Sequence, residues 1–219
     1  MALTGVSVLA FSTSAQAADD WYVSGGAGLS ILSDSDIKDT VTGVGSADGD
    51  VSFDNGFALT GAIGKSFGDL RVEGELSYRK NDLDTITITS VTLAGQTFAG
   101  SASAKLTGDQ SSLGFMANAY YDLNNDTSWT PFVMGGAGIA RHNLDVKSVA
   151  GAATTYNETD TVFAYQMGVG VGYALTEKAD VTIQYRLLGT ADTTYDDGTD
   201  KIEGDYLNQS IMVGFTHAF

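Results

Sequence analysis

Residues 70–79 read LRVEGELSYR and carry the clearest structural signal in the chain. Apolar residues or glycine alternate strictly with polar or charged residues along this stretch. The apolar set is Leu70, Val72, Gly74, Leu76 and Tyr78, and the polar set is Arg71, Glu73, Glu75, Ser77 and Arg79. Because successive side chains of a strand point to opposite faces, the stretch predicts a β-strand with one apolar and one charged face. A soluble sheet can also contain one such strand, so the fold class depends on whether the alternation recurs.

Similar segments of about ten residues recur seven times, and this is the length that a tilted strand needs to cross a bilayer. They lie around 21–31, 57–63, 112–121, 132–139, 163–174, 181–187 and 210–219. Around 132–139 both faces are apolar or glycine, so the sequence leaves the lipid-facing side of that segment open. Aromatic residues lie toward the segment ends, where the interfacial girdles of a membrane barrel are found.

The connections between segments alternate between short and long. Short turns are predicted around 68–69, 124–126 and 177–179, and long polar loops over 34–54, 81–109, 142–160 and 190–205. An up-and-down barrel with both termini at one rim has all its short turns at that rim and all its long loops at the other. We therefore predict an all-β fold, an eight-stranded antiparallel up-and-down transmembrane β-barrel, with the short turns on the periplasmic side.

The first 17 residues have the features of a signal peptide. An apolar run from Leu3 to Phe11 precedes Ala15-Gln16-Ala17, which has the small-x-small form of a signal-peptidase site. The run is much shorter than the roughly 18 residues of a spanning helix. We predict a signal peptide over 1–17 and one outer-membrane barrel domain over 18–219. The usual basic segment before the apolar run is missing, so the precursor is expected to begin slightly upstream.

Composition narrows the possible functions. The chain has no cysteine, which excludes disulfides, thiolate zinc sites and thiol nucleophiles, and its net charge of −16 argues against nucleic-acid binding. An EF-hand loop with Gly198 at its sixth position would begin at Thr193 and end at Gly204, so the acidic ligands at its first and twelfth positions are missing. No nucleophile, base and orienting group are marked out together. We predict no enzymatic activity, no cofactor and no bound metal.

Four stretches of the chain resemble the eight-stranded outer-membrane surface antigens and OmpA-like or opacity-type barrels of Gram-negative bacteria. These stretches are 57–82 (FALTGAIGKSFGDLRVEGELSYRKND), 113–123 (LGFMANAYYDL), 130–140 (TPFVMGGAGIA) and the closing 210–219. The resemblance implies a surface-exposed outer-membrane protein whose final Phe219 is read by the barrel-assembly machinery. It also implies contact with outer-membrane lipid and lipopolysaccharide, a monomeric state, and roles that range over adhesion, antigenic display, membrane integrity and weak pore activity. It brings no catalytic motif.

Five charged residues are predicted to point into the lumen, namely Arg71, Glu73, Glu75, Arg79 and Arg186. Arginine on the lipid side at mid-bilayer costs about 2–4 kcal/mol, so a one-residue slip of strand 70–79 is strongly disfavoured. Opposite charges are expected to pair with one another and with Asn118, Gln166 and Gln184. The interior of an eight-stranded barrel is only just wide enough for side chains to fill, which favours a structural plug over a narrow ion path.

Three functional hypotheses follow. The first is a structural or surface-interaction barrel, a surface antigen or adhesin-like protein, whose four long acidic extracellular loops make any specific contacts, including contacts with host surface molecules. The second is a small, weakly conducting pore. The third is a secreted lipocalin-like barrel, which requires an apolar interior and a polar exterior. Residues 34–54 and 190–205 each hold six acidic residues against one lysine, a net charge of −5. Such clusters attract divalent cations or basic surfaces, or they form a solvated rim.

Overall fold

The computed structural model of the chain describes residues 20–41, 45–123, 125–190, 193–196, 200–204 and 206–219. The predicted signal peptide lies outside these residues. The described strands are β1 (Trp21–Leu32), β2 (Ser35–Val41), β3 (Gly45–Phe53), β4 (Gly56–Phe67), β5 (Leu70–Leu93), β6 (Gln96–Asp122), β7 (Trp129–Val149), β8 (Ala152–Thr176), β9 (Ala179–Thr190), β10 (Thr193–Asp196), β11 (Asp200–Gly204) and β12 (Leu207–Ala218). None of the described residues belongs to a helix long and apolar enough to cross a membrane.

Eight of these strands close into a barrel. Their order around the wall is β1-β4-β5-β6-β7-β8-β9-β12, and β12 pairs with β1 to complete the ring. All neighbours in the wall are antiparallel. The predicted eight-stranded antiparallel barrel is therefore confirmed. The short connections β4–β5, β6–β7 and β8–β9 leave their strands at the same rim where β1 begins and β12 ends, and by analogy with outer-membrane barrels this rim is periplasmic.

The prediction of long loops at the four extracellular connections is wrong, because the described residues of these connections are largely β-strand. Strands β5 and β6 continue far beyond the extracellular rim, with 24 and 27 residues, and β7 and β8 do so with 21 and 25. The polar character of these stretches suggested loops. However, the run Thr85-Ile86-Thr87-Ile88-Thr89 consists of β-branched residues, which are enriched in β-strands.

The first and last extracellular connections join into one sheet. Strand β11 pairs with β10 and β2, β2 pairs with β3, and β3 pairs with β5 over 83–93. We call β10, β11, β2, β3 and residues 83–93 of β5 the extracellular sheet. It extends the barrel wall on one side, so residues that are far apart in the chain lie on adjacent strands above the rim.

The two faces of the wall have opposite chemistry. Phe115 is 62% exposed on the outer face, whereas its neighbour Met116 is fully buried in the lumen. We call the outward side chains between the rims the apolar band, and it includes Val23, Leu29, Leu59, Ile63, Val72, Leu76, Phe115, Val133, Ile139, Met167, Val169, Ile183, Val213 and Phe215. The segment left open by the sequence is also resolved, since Val133 and Ile139 face outward while Phe132 and Met134 face the lumen. A lipocalin-like barrel requires the reverse arrangement, so that hypothesis is wrong.

Candidate functional site

The middle of the lumen is closed by an ion pair between Glu75 on β5 and Arg186 on β9. Their side chains are 1% and 4% exposed. Arg186 Nη2 also donates to the Tyr120 hydroxyl at 2.9 Å. Gln166 Nε2 donates to Glu75 Oε1 at 3.2 Å and to Asn118 Oδ1 at 2.7 Å. Four strands therefore contribute to one hydrogen-bonded layer across the barrel.

A second charged layer lies toward the periplasmic rim. Arg71 Nε and Nη2 donate to the two carboxylate oxygens of Asp122 at 2.7 and 2.8 Å. The Arg71 guanidinium carbon lies 4.6 Å from the ring centre of Tyr120 and 5.4 Å from that of Phe132. Sequence analysis missed Asp122, which stands at the end of a strand beside a turn. Its inward direction could have been predicted, because alternate residues of a strand point to the same face and Asp122 alternates with Asn118 and Tyr120 on β6.

The space between these layers is small. Glu73 lies there and accepts a hydrogen bond from Ser24 Oγ at 3.3 Å. A cavity of about 20 Å³ adjoins Ser24, Arg71, Glu73, Gln184 and Arg186. This volume is enough for roughly one water molecule. The side chains thus fill this part of the lumen, as expected for an eight-stranded barrel.

Two glycines on β8 allow this tight packing. A Cβ atom at Gly170 would lie 2.5 Å from Phe132 Cζ and 2.7 Å from the carbonyl oxygen of Ile183, and one at Gly168 would lie 2.7 Å from the carbonyl oxygen of Tyr185. At Gly172, by contrast, the nearest atom would be 3.7 Å away. Gly168 and Gly170 therefore make room for lumen side chains, whereas Gly172 does not.

The extracellular half of the lumen combines apolar packing with polar groups. Leu32, Met116, Ala140, Ala164, Leu188 and Tyr206 form a buried apolar cluster. On one side of it, Asn81 donates to the Ser30 carbonyl oxygen at 2.9 Å, and Asn208 donates to Ser30 Oγ at 2.8 Å.

Arg79 lies in the same half of the lumen and differs from the other two lumen arginines. It is 1% exposed and donates to Ser77 Oγ at 3.0 Å. It forms no ion pair with any residue that the structure describes, although the sequence predicted pairing among the lumen charges. Gln184 also differs from that expectation, because its Oε1 has no hydrogen-bond partner among the described residues.

Outside the membrane, charge is unevenly distributed. Residues 34–54 and 190–205 each carry −5, whereas 81–109 and 142–160 each carry −2. The two most acidic stretches are the ones that the structure joins, since β11 pairs with β2 from Asp200 opposite Val41 to Gly204 opposite Ile37. Within the described residues, no group of three or more histidine, aspartate or glutamate residues could hold a metal ion. The distinctive external feature is therefore the acidic character of the extracellular sheet.

The closed ring, the apolar band and the polar lumen agree with a sequence match to the family model described as "Outer membrane protein beta-barrel domain", which covers residues 3–219. The chain belongs to this family. Outer-membrane β-barrel proteins of this kind reside in the bacterial cell outer membrane, as predicted from the sequence. Phe219 lies just beyond β12 at the periplasmic rim, where its backbone N–H donates to the carbonyl oxygen of Trp21 at 2.9 Å.

Individual relatives are more distant. The chain is 28% identical over 121 residues to the outer membrane protein PagN of Salmonella typhimurium, and the match spans about half (48%) of each protein. The fold is similar to that of Neisserial surface protein A, with a TM-score of 0.53, 17% identity and coverage of 91% and 97% of the two chains. The outer membrane protease OmpT of Escherichia coli gives a TM-score of 0.53 at 9% identity, with coverage of 90% and 97%. These structural similarities show the fold alone.

Proposed function

We propose that this outer-membrane β-barrel protein is a monomeric, non-catalytic barrel that holds an acidic sheet at the cell surface for contact with positively charged surfaces. The observation that carries the proposal is the pairing of β11 with β2, which joins the two extracellular connections that each carry a net charge of −5. Clustered charge of one sign raises the local concentration of oppositely charged partners and speeds their encounter. Host surface molecules and divalent cations are the partner classes that this charge favours.

The lumen supports a structural role for the barrel itself. The Glu75–Arg186 pair closes its middle, and the cavity below has room for about one water molecule. The extended β5–β8 strands and the extracellular sheet would then act as a rigid support for surface contacts. Rigid support lowers the conformational entropy that is lost on binding.

Charge neutralisation tests the interaction. A variant with Asp36, Asp39, Asp48 and Asp50 changed to Asn removes four charges from the extracellular sheet. The matched control changes Asp82, Asp145, Glu158 and Asp160 to their amides, which removes four charges from the two less acidic connections and none from the extracellular sheet. We expect the first variant to lose binding of whole cells to lysine-coated and to mammalian cell surfaces, while the control retains it. Equal binding by both variants and the unmodified protein would exclude the acidic sheet as the contact surface.

Planar-bilayer recording distinguishes the plug from the small pore. We expect no discrete conductance from the purified, refolded protein at neutral pH, because the Glu75–Arg186 layer closes the middle of the lumen. A steady single-channel conductance that changes in Glu75→Ala, and is unchanged in the outward-facing control Val213→Ala, would favour the pore.

The role of the chain end is tested separately. We propose that Phe219 is read by the barrel-assembly machinery, and that its deletion lowers the amount of heat-modifiable barrel in the outer membrane. The matched control, His217→Ala, changes another outward residue of the same chain end and is expected to assemble normally.

A further inference from the structure

Three inward side chains lie side by side at the extracellular end of the lumen. Arg79 on β5 stands opposite Ser112 on β6, and Ser112 stands opposite His142 on β7. They are 1%, 1% and 2% exposed, respectively. Side chains directly opposite each other on neighbouring strands have Cβ atoms about 5 Å apart, so the three groups border one small region.

The guanidinium of Arg79 has one unused edge. Its Nη1 donates to Ser77, whereas Nε and Nη2 have no hydrogen-bond partner among the described residues. Nε and Nη2 are the same two atoms with which Arg71 holds both oxygens of Asp122. Glu75 is a nearby carboxylate that acts on Arg79 electrostatically, but it is bound by Arg186 and Gln166. Arg79 therefore has two adjacent N–H donors that suit an oxyanion, and no carboxylate in the described part of the chain binds them.

The two neighbours of Arg79 add polar atoms that the described residues leave largely unused. Both ring nitrogens of His142 make no hydrogen bond with these residues, and the one hydrogen-bonding neighbour of Ser112 Oγ among them is the Tyr206 hydroxyl. Tyr206 packs on His142 with ring centres 4.3 Å apart, which shields the imidazole from solvent. Buried polar groups in folded proteins are almost always hydrogen-bonded, so a cluster with this many unused groups indicates a bound partner, either water or an ion. A guanidinium further requires a ligand that carries negative charge.

We propose that Arg79, Ser112 and His142 bind a small oxyanion of the carboxylate or phosphate type in the extracellular half of the lumen. Two oxygens of the anion accept from Nε and Nη2 of Arg79, as Asp122 accepts from Arg71. Ser112 Oγ and the N–H of the neutral His142 imidazole donate to the same anion. The Glu75–Arg186 layer closes the lumen toward the periplasm, so the anion enters from the extracellular side.

The two histidines of the chain provide a direct test. The full-length protein, refolded in detergent with ¹³C- and ¹⁵N-labelled histidine, gives ring signals from His142 inside the barrel and His217 on its outer face. Sodium acetate, sodium phosphate and sodium chloride are added in parallel at matched ionic strength. We expect saturable shifts of the His142 signals with acetate or phosphate, while the His217 signals do not move. Comparison of the affinities from the acetate and phosphate titrations shows which type of oxyanion the site prefers.

Three variants link the shift to the site. Arg79→Lys keeps the positive charge but removes the two parallel N–H donors, and we expect the anion affinity to fall about tenfold or more. Ser112→Ala removes one donor and is expected to weaken binding severalfold. Its matched control is Ser210→Ala, because Ser210 is equally buried but already donates to Asn208 Oδ1 at 3.0 Å. The control is expected to bind as the unmodified protein does.

Several results would overturn the proposal. These are the absence of a saturable His142 shift with either oxyanion, an equal shift with chloride, and an unchanged affinity in a folded Arg79→Lys variant. If Arg79→Lys does not fold, the comparison between Ser112→Ala and Ser210→Ala decides, because equal affinities in those two variants would place the anion elsewhere.

Discussion

Arg186 on β9 forms an ion pair with Glu75 on β5, which is four strands away around the barrel wall. The pair therefore crosses the lumen rather than linking neighbouring strands. Both side chains are almost completely buried, so each depends on the other for compensation of its charge. The pair fixes two opposite parts of the wall relative to each other and closes the path through the barrel.

Breaking this pair should destabilise the barrel strongly. Glu75→Gln leaves the Arg186 charge buried without a counter-charge, and we expect a loss of about 3–5 kcal/mol in the free energy of unfolding, measured in urea with lipid vesicles. The double variant Glu75→Leu with Arg186→Met should recover most of this loss, because neither charge is then buried. Glu73→Gln is the matched control, since Glu73 faces the same lumen but forms no ion pair with the described residues. Equal losses for Glu75→Gln and Glu73→Gln would contradict the central role of the pair.

The glycines of β8 should differ sharply in their tolerance of alanine. We expect Gly170→Ala to cost about 1–3 kcal/mol, because its Cβ would overlap Phe132 and the Ile183 carbonyl oxygen. Gly172→Ala lies on the same strand and the same face, but its Cβ would meet nothing closer than 3.7 Å. We expect that control to be neutral or slightly stabilising. Thermal unfolding followed by the heat-dependent gel shift measures both, and similar melting temperatures for the two variants would argue against crowding in the lumen.

The tips of the two longest hairpins carry backbone strain. Ala94 and Gly95 have φ values of 48° and 78°, and Ala150 and Gly151 have values of 51° and 79°. Two-residue turns with positive φ at both positions favour Asn-Gly, because asparagine tolerates the left-handed region better than alanine. Ala94→Asn and Ala150→Asn should each stabilise the protein by about 0.5–1 kcal/mol. Gly95→Ala should do the opposite, and hydrogen exchange at the hairpin amides would report both effects. A loss of protection in Ala94→Asn would be inconsistent with this turn geometry.

Asp109 should make stability dependent on pH and salt above the membrane surface. Its carboxylate oxygens lie 3.2 Å from Lys80 Nζ and 3.2 Å from Lys147 Nζ. Partial burial raises the pKa of Asp109, but the hydrogen bonds from the two lysines outweigh it and hold that pKa below its ordinary value of 3.8. The stabilisation is therefore fully present above that value and is lost as the pH falls through the lowered pKa of the folded state.

Asp109→Asn should consequently cost a few tenths of a kcal/mol at pH 7, since the pairs are partly exposed, and less at high salt. Asp84→Asn on the same hairpin is the control, because Asp84 forms no ion pair with the described residues. Urea unfolding at pH 7 and pH 3 in low and high salt gives the comparison. A cost for Asp109→Asn that is the same under all four conditions would show that the lysines do not stabilise the carboxylate.

The sequence by itself determined the barrel wall. Alternation in 70–79 and in the other segments fixes which side chain faces lipid and which faces the lumen, because the side-chain period of a strand is two and a slipped register puts arginine in the bilayer. For the same reason, sequence alone placed Arg71, Glu75 and Arg186 inside the barrel. It did not assign the faces of 132–139, where glycine and apolar residues occupy both sides.

Only the tertiary structure decided which lumen groups meet. Glu75 and Arg186 are 111 residues apart and contact each other across the closed ring, and Arg71 pairs with Asp122 rather than with a glutamate on its own strand. Alternation gives the direction of a side chain but not its height or position around the barrel, and those depend on strand stagger and closure. For the same reason, the sequence did not predict the extracellular sheet. In this sheet the pairing of β11 with β2 joins residues more than 150 positions apart in the chain.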